Sequence, residues 1–75
     1  MIIYVTTMER AFHLPNEPMY RSTTQWKFLW DGETLILQAN GWKQPATSVE
    51  EVYKKITGYF YGTSYQIINV KEGFN

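Results

Sequence analysis

Few side chains in this 75-residue chain have the type and spacing for chemistry. His13 is the one histidine and cysteine is absent, which excludes Cys–His catalysis and His-rich or Cys-based metal sites within one chain. A single histidine serves some small ribonucleases, but beside a basic RNA-binding face. Here seven Lys+Arg meet seven Asp+Glu, and His13, flanked by Phe12 and Leu14, reads as a partly buried or loop histidine. Asp31 and Glu33 flank a turn glycine, where nothing would raise one carboxyl for acid work. Glu50 and Glu51 fall where a helix would begin, and the helix dipole accounts for acids there. Gly62-Thr-Ser64-Tyr-Gln66 lacks the second glycine of a nucleophile elbow, and neither usual glycine-rich phosphate loop occurs. The expectation is a protein that is not an enzyme and has no cofactor and no metal.

The aromatic residues are the larger resource: three Trp, six Tyr and four Phe make up 17% of the chain. Trp26, Phe28 and Trp30 alternate along one segment with Lys27 between them. This pattern suits a stacking platform for single-stranded nucleic acid, where each stacked base contributes roughly 1–3 kcal/mol. It equally suits the inner face of a strand. A chain this short buries only about 60% of its extended surface and depends on bulky core residues. The elements decide between the two.

Gln25 to Trp30 and Thr34 to Gln38 flank Asp31-Gly32, a strong short-range hairpin signal. A two-residue loop there predicts Trp30 opposite Glu33, Phe28 opposite Leu35 and Trp26 opposite Leu37. Directly opposed residues share a side of the sheet, so Trp26, Phe28, Leu35 and Leu37 form one apolar face. Ile2 to Thr7 and Tyr65 to Val70 are β-branched and aromatic, and read as strands. Met8 to Thr23 carries Pro15-Asn16-Glu17-Pro18. It is either a hairpin turning at Asn16-Glu17, which sets Ile3 by Trp30 and Val5 by Phe28, or a wide irregular loop.

A helix is expected from about Ser48 to Phe60. Val49, Val52, Tyr53, Ile56 and Phe60 form one stripe of a 3.6-residue period. Ser48-Val-Glu-Glu51 has the form of a capping box, and Glu50→Lys54 and Glu51→Lys55 are i,i+4 pairs on the opposite side. The predicted fold is a single compact α+β domain over 1–75, β-β-β-α-β, with a four-stranded sheet and one helix packed on one face. A right-handed crossover would set the last strand beside the first and parallel to it. In this arrangement Trp26 and Phe28 are core residues rather than a stacking platform.

One end of the sheet then gathers aromatic and basic residues without assigned core positions: Arg10, Phe12, His13, Tyr20 and Arg21 near Trp42 and Lys43, with Lys71 and Phe74 close by. The equal alternative is that Phe12, Leu14 and Trp42 fold down and plug the bottom of the core. Tyr, Trp and Arg are the types enriched in interface hot spots. The expected function is a small non-enzymatic protein-binding module or regulator, of the kind carried as accessory proteins by phages and mobile elements. Its partner would be another protein or a second copy of itself in a homodimer. The alternative is a single-stranded nucleic-acid-binding protein using Arg10, Tyr20, Arg21, Trp42 and Lys43, which a pI near 6.5 disfavours. No apolar run approaches the roughly 20 residues of a membrane span, and no signal-peptide pattern precedes the first strand. A cytoplasmic location is expected.

Overall fold

The computed structural model describes residues 1–9 and 23–73. Five strands, β1 (Ile2–Glu9), β2 (Thr23–Trp30), β3 (Thr34–Leu37), β4 (Lys43–Pro45) and β5 (Tyr65–Gly73), and one helix, α1 (Val49–Phe60), form an α+β fold. The sheet order is β4-β3-β2-β1-β5, and every neighbouring pair is antiparallel. Ile3, Val5, Phe28, Leu35 and Leu37 on one sheet face bury themselves against Val52, Ile56 and Phe60 of α1. Each such side chain contributes roughly 1.5–3 kcal/mol. The expected helix-on-one-face arrangement stands, with one short strand added to the four anticipated.

That strand corrects the direction of β5. The chain turns at Asn40-Gly41, where the Asn40 Oδ1 accepts from the Trp42 N–H at 2.9 Å and Gly41 has φ +75°. β4 then carries it back along β3 to the end where β3 began. The helix therefore starts at that end and delivers β5 to the opposite one, so β5 pairs with β1 antiparallel rather than parallel. Asn-Gly is itself a hairpin signal, but Lys43-Gln44-Pro45 has no apolar alternation to mark a strand.

The β2–β3 register is also displaced. Phe28 pairs with Leu37 and Trp30 with Leu35, because the turn centres on Gly32-Glu33 and not on Asp31-Gly32. The Asp31 side chain is the cause. Its Oδ1 accepts from the backbone N–H groups of Glu33 and Thr34, both at 2.8 Å, which places Asp31 at the start of the turn and Gly32, at φ +100°, inside it. The β1–β2 register moves likewise: Ile3 pairs with Phe28 and Val5 with Trp26. Both displacements are by two residues, so every side chain keeps its expected face. In β5 the pairing shifts at Thr6/Thr7, leaving Ile68 as an extra residue. This bulge lets Ile67 and Val70 both reach the core cluster while Ile68 stays 48% exposed.

The helix begins where the capping pattern places it, with one change of partner. The Ser48 Oγ accepts from the Glu51 N–H at 3.2 Å. The Glu51 carboxylate, however, accepts from the N–H and hydroxyl of Thr47, at 2.7 and 3.1 Å, not from the Ser48 N–H. Of the predicted stripe, Val52, Ile56 and Phe60 are buried, Tyr53 is half-buried and Val49 is exposed.

Candidate functional site

Of the residues expected to form a partner-binding cluster, Arg10, Phe12, His13, Tyr20 and Arg21 lie outside the described residues, as does Phe74. Two others are placed, and they part company. Trp42 has a core position: its ring meets Phe28 and Tyr59 edge-on, with centroids at 6.1 and 4.9 Å. Lys43 pairs with Ile36 and belongs to the other side of the sheet. Alternation along an extended chain separates the two neighbours. Lys71 is not near them either: it lies opposite Tyr4 on β5, and β4 and β5 are the two opposite edges of the sheet.

The helix-side aromatics form a continuous internal cluster. Trp26 stands edge-on to Phe60 and Tyr65, both at 5.2 Å, and Tyr59 bridges Trp42 to Phe60 at 4.9 and 5.0 Å. Three of these aromatics have side-chain hydrogen bonds inside the fold. The Trp26 indole donates to the Thr7 hydroxyl at 2.8 Å, and the Tyr59 hydroxyl accepts from Asn40 at 3.0 Å. Trp30, which faces Leu35, donates from its indole to the carbonyl of buried Ala46 at 2.8 Å. These rings are structural.

The titratable groups with displaced pKa are likewise engaged in local structure. Asp31 is held below its ordinary value, chiefly by the Thr34 N–H and then by that of Glu33. Glu51 is lowered by the Thr47 N–H and then its hydroxyl. Tyr53, whose hydroxyl donates to the Glu72 carboxylate, is raised by that hydrogen bond, with burial adding to it. Among the described residues no three His, Cys, Asp or Glu gather as a metal site would need, and no helix is long and apolar enough to cross a membrane.

The surface that cluster arguments overlooked is the sheet face without the helix. Register places its residues in rows across the strands. Gly73, Ile2, Leu29, Ile36 and Lys43 form one row, each opposite the next. Lys71, Tyr4 and Lys27 form a second. Leu29 is half-buried and Ile36 is 36% exposed. The Tyr4 ring lies over Gly73: a Cβ on that glycine would stand 3.3 Å from the Tyr4 Cε2. A shallow depression at the Met1 end is lined by Met1, Leu29, Trp30, Asp31, Thr34 and Ile36. The signal was present in the sequence as Lys27, Leu29 and Ile36 at the positions alternating with the core. No protein-family model, curated protein or solved structure matches this chain.

Proposed function

We propose that this protein is a non-enzymatic binding module, acting as a small regulator through contact with another protein. One observation carries the reading: among the described residues the one helix packs on one side of the sheet, and aliphatic side chains from two adjacent strands, Leu29 and Ile36, stand on the other. Apolar groups grouped on an open face favour partner association over isolated solvation. The test is selection of displayed random peptides on the folded protein, followed by NMR titration of the enriched sequences. Saturable shifts on a contiguous surface are expected. No enriched peptide, together with a monomer at all concentrations by sedimentation, would overturn the proposal.

A second reading, single-stranded nucleic acid, draws on Tyr4 standing between Lys27 and Lys71. Affinity for an oligonucleotide that falls steeply with salt would favour it.

A further inference from the structure

We infer that the helix-free sheet face docks an acidic, amphipathic segment of the partner protein, an inference that rests on the protein-binding reading above. The formal charge of the chain is zero, yet its charges are segregated. Lys27, Lys43 and Lys71 all occupy strand positions of this face. Among the described carboxylates only Asp31 borders this face, beside Leu29 and Ile36 at the turn. Glu9 and Glu72 alternate to the helix side with Val5 and Ile3, where Glu72 accepts from Tyr53. Asp31 and Glu33 belong to the turn, its Asp31 oxygen occupied by backbone N–H groups. Glu50 and Glu51 open the helix.

Lys27 and Lys71 flank Tyr4, two strand spacings apart, about 10 Å. A single extended segment lying across Tyr4 therefore meets both lysines. A partner surface bearing carboxylates is the complement.

The apolar row decides which anion. Leu29 and Ile36 are aliphatic and reach the surface while Ile2 beside them is buried, and the one aromatic ring among the described residues of the face, Tyr4, is laid over Gly73. Nucleic acid binds through platforms of several aromatics that stack successive bases, and the described residues of this face supply a single ring. A peptide with carboxylates beside apolar side chains meets both rows at once. A second copy docked face to face would set three lysines against three lysines, with Asp31 at the turn the one described carboxylate near them.

The experiment uses the whole chain, ¹⁵N-labelled, titrated with a short peptide alternating leucine and glutamate. Controls are its leucine–lysine counterpart and an oligodeoxythymidylate of equal length. The acidic peptide is expected to shift the amides of Tyr4, Lys27, Leu29, Ile36 and Lys71. Joint Lys43→Glu and Lys71→Glu substitution, at two exposed positions, should weaken it about tenfold or more, a loss of about 1.4 kcal/mol, with the melting curve unchanged. Equal binding of the basic peptide, no effect of the two substitutions, or no shift on this face would overturn the inference. Selected peptides that bind elsewhere would leave the protein-binding reading standing without this site. Tighter binding of the oligonucleotide, with no peptide bound, would remove both.

Discussion

The indole N–H of Trp26 donates to the hydroxyl of Thr7 at 2.8 Å across the β1–β2 pair. Thr7 is fully buried, and its hydroxyl in turn reaches the Thr24 carbonyl at 3.5 Å. One threonine thus satisfies the polar atom of the ring on which Phe60 and Tyr65 pack. Thr7→Val keeps the shape and leaves the indole without a partner. It should cost about 1–3 kcal/mol by urea unfolding, while Thr7→Ser retains the acceptor and should cost less. Equal losses for the two variants would show that the hydrogen bond contributes nothing.

Trp42 packs between Phe28 and Tyr59, and its removal should act on stability. Trp42→Ala is expected to cost about 2–3 kcal/mol, less than a fully buried Trp because part of the ring remains in water. A thermal melt measures it. An unchanged melting temperature would return Trp42 to the set of interface candidates.

Gly32 at φ +100° sits in a backbone region that side chains avoid. A Cβ there meets nothing within 4 Å, so Gly32→Ala isolates conformational strain from crowding. The expected loss is about 1–2 kcal/mol. No loss would mean that the β2–β3 turn rearranges without cost.

Stability should fall at both ends of the pH scale, for opposite reasons. Asp31 and Glu51 have lowered folded-state values. Their contribution is present above the ordinary carboxylate range, about pH 4, and is lost as pH falls through the lowered values. Tyr53 is raised by its hydrogen bond to Glu72. Its contribution is present below the ordinary tyrosine value, about pH 10, and is lost as pH rises towards the raised one. Denaturant midpoints across pH should show both limbs. Asp31→Asn with Glu51→Gln should flatten the acid limb, and Tyr53→Phe the alkaline one. An unaltered pH profile in either variant would place the cause elsewhere.

The faces of the strands were legible in the sequence because side-chain alternation has a period of two. Trp26, Phe28, Leu35, Leu37, Ile3 and Val5 share the helix side although both registers differ from expectation by two residues. An even displacement cannot move a side chain to the other face. The helix was legible for a similar reason: Val49, Val52, Tyr53, Ile56 and Phe60 mix spacings of three and four, which a 3.6-residue period explains and a period of two does not.

Tertiary structure alone decided the course of β5, through β4. Three residues ending in Pro45 form that strand because the edge of β3 is there to pair with, not because their own pattern demands it. It also decided the neighbourhood of Trp42, which fills space beside Phe28 and Tyr59, while adjacent Lys43 alternates onto the open face. The charge balance of zero was readable from composition. The gathering of three described lysines on one face depends on strand order and direction, because only pairing brings Lys27, Lys43 and Lys71 to one side.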